Sequence, residues 1–399
     1  MQTKICLPPD GRWILERLRQ NGFAAYAVGG CVRDALLGRT PHDWDFCTAA
    51  TPEQILQCFS DVPCLTIGQQ HGTIGILRNG TVYELTTFRQ ESTYRDHRHP
   101  DAVAFTDSLT ADLQRRDFTI NAMAYHPETG IVDPFHGAKD LQRQVIRCVG
   151  NPIERFQEDA LRILRGIRFA ATYGFSIVPE TAAAMQEAVH CLQWVSAERI
   201  LSECDRLVTA PYGAEVLWQH RTIWFSLFPT WQPTENSWQH TLQRLKRCQS
   251  EDSILCWAAL LYDETASARQ ICKQLKMEKK KTAAVVALVQ QDTPISPERL
   301  SLLRLLQTMG ELQTRRLLQL QDANQQTKQL LEQILQEQPC LHIRDLAICG
   351  KDLLALGVPQ GKAVGDLLGA ALEQVICGAL PNQRDVLLQW VQQSITSTV

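Results

Sequence analysis

No apolar stretch in these 399 residues approaches the ~18 needed to cross a bilayer. The longest, Ile254 to Tyr262, reads as a buried core segment. The opening MQTKICLPPD has none of the basic, apolar and small-residue succession of a secretion signal, so a cytosolic protein is expected. The 14 cysteines are scattered singly without one CxxC pair, which excludes zinc knuckles and thioredoxin-type redox pairs. They are expected as reduced, partly buried thiols. Neither charge sign dominates: 40 basic residues against 43 acidic ones give a formal −3. That rules out a polycation while leaving room for a local nucleic-acid groove. Internal repeats and low-complexity tracts are missing too.

A single core ordinarily serves no more than about 250–300 residues, so two to four domains are expected. The chain changes character near residue 145. Before it lie short β-like runs punctuated by glycine: Ala24 to Val28, Trp44 to Phe46, His71 to Leu77 and Thr81 to Phe88. After it, Leu, Ala, Gln, Arg and Glu recur at helical spacing almost to the end. Asn79-Gly80 between two β-like runs predicts a two-residue hairpin, pairing Leu77 with Val82, Ile76 with Tyr83, and Gly75 with Glu84. Ile74, Ile76, Tyr83 and Leu85 then form the core side, and Glu84 stands over a glycine on the open face. Thr51-Pro52-Glu53 predicts a capped helix start. Arg89 to Thr110 is polar and aperiodic, and its length predicts a mobile functional loop.

Two clusters carry chemistry. Val28-Gly29-Gly30-Cys31-Val32-Arg33-Asp34 sets two glycines between a strand and a helix, where backbone N–H groups can approach a phosphate. Arg33, one turn into that helix, adds a charge-assisted contact. A Gly-Gly turn alone is only a tight connection, and its spacing is neither the dinucleotide fingerprint nor a Walker loop. Farther on, Asp43 and Asp45 stand at i and i+2, which in a strand points both carboxylates to one face about 7 Å apart. Such a pair repels unless cations lie between, and Mg²⁺ held by carboxylates plus substrate phosphates is the usual remedy. Glu84 on a neighbouring strand would complete a two-metal site for in-line attack at phosphorus.

With these residues in view, YAVGGCVRDALLGRTPHDWDF at 26–46 resembles the signature of the polymerase-β nucleotidyltransferase superfamily. More closely, it is similar to class II tRNA nucleotidyltransferases (CCA-adding enzymes) and bacterial poly(A) polymerases. The likeness continues through YELTTFR at 83–89, RRDFTINAMA at 115–124, DPFHGAKDL at 133–141, RFQEDALRILR at 155–165, and SAERI at 196–200 with Glu203. The resemblance implies Mg²⁺ on Asp43 and Asp45, with Glu84 a candidate third catalytic carboxylate. It implies triphosphate contacts from the Gly29-Gly30 turn and Arg33, and nucleotide contacts from Arg116, Arg165 and Arg168. Asp117 is implied near the ribose, and Asn121, Glu198 and Arg199 as supporting residues.

Asp159 and Arg162, three apart on a helix, would share a face and present one acceptor beside one donor. Cytosine and adenine offer an amine donor next to a ring-nitrogen acceptor; uracil and guanine reverse that order. The pair therefore suits C and A and leaves buried groups unpaired against U and G. Glu158, four before Arg162, could hold its guanidinium. Taken alone, EDALR is also the pattern of a surface ion-pair helix.

From 237 onward, SWQHTLQRLKRCQSEDSILCWAALLYDET resembles a decayed metal phosphohydrolase (HD) domain, with Tyr262-Asp263 where a His-Asp pair belongs. His240 is expected as a packed or surface residue and the segment as structural helices. Lys273, Lys276 and Lys279 to Lys281 read as a solvated face, with RNA phosphate contact the alternative. The region Ile348 to Asn382 looks like the terminal helices with which bacterial CCA-adding enzymes grip the tRNA elbow.

The expected fold is α+β: a polymerase-β-like head with a mixed sheet over 1–145, then an all-helical neck (146–205, nucleotide selection), body (206–335) and tail (336–399, tRNA binding). The expected activity is template-independent addition of C, C and A to tRNA 3′ ends from CTP and ATP, releasing pyrophosphate. One Mg²⁺ would lower the pKa of the 3′-hydroxyl while another stabilises the leaving pyrophosphate. A poly(A) polymerase, an A-only or CC-only enzyme, and a non-catalytic RNA-binding protein are the alternatives. No membrane or DNA partner is expected.

Overall fold

The computed structural model describes residues 5–91 and 103–396. Helix α1 (Pro9–Gln20) starts on a proline and buries Ile14, Leu15 and Leu18. It is followed by β1 (Ala25–Val28), α2 (Gly30–Leu36) and β2 (Phe46–Thr48). Helix α3 (Pro52–Cys58) opens on the expected cap: Thr51 and Gln54 exchange side-chain-to-backbone bonds. Next come β3 (Cys64–Leu65), β4 (Thr73–Arg78), β5 (Thr81–Thr87), β6 (Arg89–Glu91), β7 (Val103–Phe105), α4 (Leu109–Gln114), β8 (Ala124–His126) and β9 (Gly130–Val132).

Seven of these strands form one sheet in the order β3-β4-β5-β2-β1-β8-β9. It is mixed, as expected: β2 and β5 run parallel, and the other neighbours antiparallel. The β4-β5 register is the one the turn demands, with Leu77 opposite Val82, Ile76 opposite Tyr83, and Gly75 opposite Glu84. Both turn residues take positive φ, 49° at Asn79 and 79° at Gly80. Ile74, Ile76 and Leu85 are completely buried, each contributing roughly 1.5–3 kcal/mol of transfer free energy.

Two expectations are corrected here. The carboxylate pair precedes its strand: the β1–β2 ladder begins at Phe46, opposite Ala27. Asp45 adds one further bond, its carbonyl accepting the Val28 N–H at 3.0 Å, and Asp43 sits in a bend before it. The polar segment after β5 is not structureless throughout, since β6 and β7 pair as a separate antiparallel ribbon. Residues 92–102 of the predicted loop lie outside the described residues, and its last two residues open α4. The β8–β9 hairpin went unforeseen; its strands are three residues each, too short for alternation to show.

From residue 137 on, α5 (Gly137–Gln142), α6 (Pro152–Glu158), α7 (Leu161–Tyr173), α8 (Pro179–Glu187) and α9 (Ala197–Val208) bring helices to the fore. However, β10 (Val145–Ile146) and β11 (Ser176–Ile177) form a small parallel pair, so the 146–205 segment is not the all-helical one expected. The chain divides into two compact units. One is Met1–Leu242 with Gln249–Ser253 and Ile271–Met277; the other is Gln243–Cys248, Ile254–Gln270 and Glu278–Val399. The second unit is helical, with a core that includes Leu302, Leu306, Leu331, Ile334, Leu353, Leu387 and Val391. Within it the Asp263 carboxylate takes both Arg244 terminal nitrogens, at 3.0 and 3.1 Å. The Tyr262 hydroxyl donates to the Gln291 carbonyl at 3.0 Å. In the first unit His240 is exposed, and Lys276 pairs with Glu198 at 2.8 Å. Among the described residues no disulfide forms, and no helix is long and apolar enough to cross a membrane.

Candidate active site

The β1-to-α2 turn depends on a residue without a side chain. Gly29 has φ 80° and ψ −130°, a region open to glycine, and a Cβ there would lie 2.9 Å from Arg116 Nη1. Backbone and guanidinium therefore meet closely. Arg33 in the next turn is buried. Its Nε and Nη2 donate to the two Asp34 carboxylate oxygens, each at 2.9 Å, and its Nη1 donates to Asn121 Oδ1.

Arg116 is held from below. The fully buried Asp112 carboxylate accepts from Arg115 Nε and Nη2 at 3.0 and 2.8 Å, and from Arg116 Nη2 at 3.3 Å. Burial pushes Asp112 up, but the two arginines overcome it and keep the carboxyl below its ordinary value. Arg116 Nε is buried with no hydrogen-bond partner among the described residues, and such a donor calls for an acceptor from a ligand.

Asp117 follows. Its Oδ1 accepts from the Phe118 N–H at 2.8 Å and Asn121 Nδ2 at 3.0 Å, and its Oδ2 accepts from Arg165 Nε at 2.8 Å. Burial alone would raise this carboxyl; the Arg165 charge and the hydrogen bonds prevail and hold it at about 2. Asn121 thus ties Arg33 to Asp117. Because the folded value lies below the unfolded one near 3.8, Asp117 contributes stability above pH 4 that is lost as pH falls toward 2. The contribution is on the order of 2 kcal/mol. Asp117→Asn should therefore melt below the wild-type chain at pH 6, and the gap should narrow at pH 3. A gap that does not change between those two pH values would refute the linkage.

The neck residues arrive by a route the sequence concealed. Asp159 is not on a helix: it ends α6 in extended conformation, φ −145° and ψ 100°. Its Oδ1 accepts the Leu161 N–H at 3.1 Å, the local bond by which aspartate starts a new helix instead of continuing the old one. Its Oδ2 accepts from Arg199 at 2.7 Å. Arg162 Nη1 donates to Glu158 at 2.8 Å and Nη2 to the Arg115 carbonyl at 3.0 Å. Arg165 and Arg168 follow at helical spacing, and Arg168 Nε donates to Glu203 at 2.6 Å.

These residues share one cavity of about 470 Å³, within the usual range for a small-molecule site. The head contributes Gly29, Gly30, Arg33, Asp45, Arg116, Asp117 and Asn121 to its lining; the neck contributes Asp159, Arg162, Arg165 and Arg168. Arg115, Phe169 and Arg206 also line it and were not singled out from the sequence. Arg115 sat in a quoted motif, Phe169 stands seven residues after Arg162 on α7, and Arg206 continues the Arg199–Glu203 face of α9 at helical spacing. Glu158 and Arg199 stand behind the lining as partners of Arg162 and Asp159. Glu198 points elsewhere, to Lys276.

Asp43, Asp45 and Glu84 are all exposed, and of the three only Asp45 reaches that lining. The parallel pairing of Phe46 with Leu85 sets Glu84 opposite Asp45 one step earlier. Although Asp45 keeps contact with solvent, partial desolvation by the groups around it, then the charges of Glu84 and Asp43, push its carboxyl above the ordinary value, with Arg116 opposing. The three carboxylates do not close into a ready three-ligand cluster among the described residues. Adjacent hard oxygen donors whose mutual repulsion raises one of them are nonetheless a fitting set for a hard divalent cation.

Comparison with known proteins matches three family descriptions: "Poly A polymerase head domain" over 25–147, "Probable RNA and SrmB- binding site of polymerase A" over 174–221, and "tRNA nucleotidyltransferase domain 2 putative" over 248–391. The chain is 36% identical over 393 residues to the CCA-adding enzyme of Levilactobacillus brevis, covering 94% of this chain and 96% of that one. It is 37% identical over 399 residues to that of Streptococcus mutans, covering 96% of each. Among solved structures, the Bacillus stearothermophilus CCA-adding enzyme in complex with CTP aligns with a TM-score of 0.82 at 28% identity, over 98% of this chain and 99% of that one. The Thermotoga maritima enzyme complexed with tRNA aligns at 0.70 and 21%, over 98% and 96%, and shares the fold.

Proposed function

Because the chain belongs to the class II CCA-adding enzymes of the poly(A) polymerase head family, we propose that this cavity is where it adds C, C and A to tRNA 3′ ends, using CTP and ATP and releasing pyrophosphate. The observation that supports the site is the meeting of the Gly29-Gly30 turn, Arg33, Arg116, Asp117, Asp159 and Arg162 around one cavity.

In this reading Gly30 and Arg33 hold the triphosphate, and the unpartnered Nε of Arg116 donates to the nucleotide. Asp117, ionised at any working pH, lies near the ribose. Asp159 and Arg162 face the base edge, their directions fixed by Arg199 and Glu158. Asp43 and Asp45, with Glu84 alongside, would hold a divalent metal, assigned here as Mg²⁺, which when bound supplies charge neutralisation for the phosphates and acidifies the 3′-hydroxyl. The bond that forms joins the primer 3′ oxygen to the α-phosphorus, and the bond to pyrophosphate breaks. The division into head (1–145), neck (146–205), body (206–335) and tail (336–399) assigns chemistry to the head and base selection to the neck. Body and tail hold the folded RNA by shape and phosphate contact.

The test uses purified protein and Mg²⁺ with tRNA ending before CCA, after C, and after CC, each offered each labelled NTP. Two C additions followed by one A, with UTP and GTP refused, are expected. A long A tract, A-only or CC-only addition would overturn full CCA synthesis. Tight tRNA binding without incorporation would overturn the enzyme reading.

A further inference from the structure

Arg33 and Asp34 are consecutive in α2, and consecutive helical residues do not face each other. Their side chains are nevertheless bound through two bonds of 2.9 Å, so something outside α2 holds them together. That outside group is Tyr173, 139 residues away at the last position of α7. Its hydroxyl donates to Asp34 Oδ1 at 2.8 Å. Its ring lies 4.9 Å from the Arg33 guanidinium carbon and 4.8 Å from that of Arg39. Phe169, one turn earlier on α7, stacks on Tyr173 at 6.3 Å and lies 5.2 Å from the same Arg33 carbon. Burial first, with the Arg33 and Arg39 charges opposing and Asp34 assisting, keeps the Tyr173 hydroxyl at about 12, so it stays a donor throughout the neutral range.

With Nε and one Nη2 hydrogen spent on Asp34, and one Nη1 hydrogen on Asn121, the fork has one N–H left on each terminal nitrogen. A Cβ on Gly30 would sit 3.4 Å from Nη2. The guanidinium edge therefore lies along the glycine turn that bounds the cavity.

We propose that Tyr173 is a positioning residue for the triphosphate: through Asp34 it fixes the plane of Arg33, so that the helix beginning beside the base-facing Asp159 ends by setting the phosphate-facing arginine. The proposal rests on the reading that the cavity takes a nucleoside triphosphate. A geometric bolt of this kind predicts a loss specific to the polyphosphate.

The experiment compares the full-length wild-type chain with Tyr173→Phe, which keeps the ring and removes the hydroxyl. It measures KM for CTP and ATP, and inhibition of incorporation by inorganic tripolyphosphate and by cytidine. The expected result is tripolyphosphate inhibition weakened about fivefold, the worth of one hydrogen bond. KM should rise alike for both nucleotides, and cytidine inhibition should not change. Asp34→Asn should show the same selective weakening, and the double variant should add nothing further. Unchanged tripolyphosphate inhibition, or equal weakening for cytidine, overturns the assignment; the second result would mean general loosening. If Tyr173→Phe does not fold, Asp34→Asn carries the same comparison. A wild-type chain that incorporates nothing would sink the functional reading instead. Tripolyphosphate binding by calorimetry would then decide the role of Tyr173 by itself.

Discussion

Asp45→Asn is expected to abolish incorporation of both C and A while leaving the chain folded and able to bind tRNA. The substitution keeps size and shape and removes one negative charge beside Asp43 and Glu84. If the pair holds the catalytic metal, that charge is worth several kcal/mol at the transition state. A loss of about 4 kcal/mol corresponds to roughly 10³-fold in rate. Asp43→Ala should do the same. Stability should move the other way. The Asp45 carboxyl, though exposed, sits above its ordinary value because of partial desolvation and the carboxylates beside it. A carboxyl raised in the folded state costs stability once pH exceeds the unfolded value, so the asparagine variant should melt at or above the wild-type temperature at pH 7. Single-turnover incorporation, tRNA binding and a melting curve on one preparation decide the matter. Retained incorporation would remove these aspartates from the chemistry. A fall in melting temperature alongside lost activity would point to a structural role.

The head was legible where local rules suffice. Asn79-Gly80 admits one hairpin register, and the whole β4–β5 pairing follows from it. Thr51-Pro52-Glu53 marked a capped helix start, and the cap formed, with Gln54 completing it. Spacing failed where a side chain outcompeted the backbone pattern. The 158–162 stretch reads as continuous helix, yet the Asp159 carboxylate captures the Leu161 N–H and breaks it. That break lets Asp159 reach Arg199 while Arg162 turns to Glu158 and Arg115. Contacts between distant segments were invisible in principle. Tyr173 against Asp34, 139 residues apart, involves no motif, because the two meet only in the folded chain.

The second large effect is expected in nucleotide choice, and it separates a template made of side chains from a cavity that merely accepts nucleotides. Asp159 is anchored through both carboxylate oxygens and Arg162 through both terminal nitrogens. Each side chain is therefore held in a fixed direction, which rigid discrimination requires. Asp159→Ala removes the acceptor proposed to meet the exocyclic amine of cytosine or adenine. A carbonyl at that place, as in uracil or guanine, would no longer be left facing a carboxylate, and the penalty that excludes those bases disappears. Polar sites reject mismatched partners by up to ~10⁴–10⁵ through such unpaired groups. Loss of one of the two groups should cut the preference for CTP over UTP by roughly 10²-fold, chiefly by letting UTP in. Arg199→Ala frees Asp159 without deleting it and should erode the same ratio less, because the Leu161 N–H still orients one oxygen. The measurement is kcat/KM for all four nucleotides on tRNA ending before CCA, for wild type and both variants. If Asp159→Ala slows every nucleotide equally and keeps the CTP/UTP ratio, the base is read elsewhere. Asp159 is then only the residue that breaks the helix.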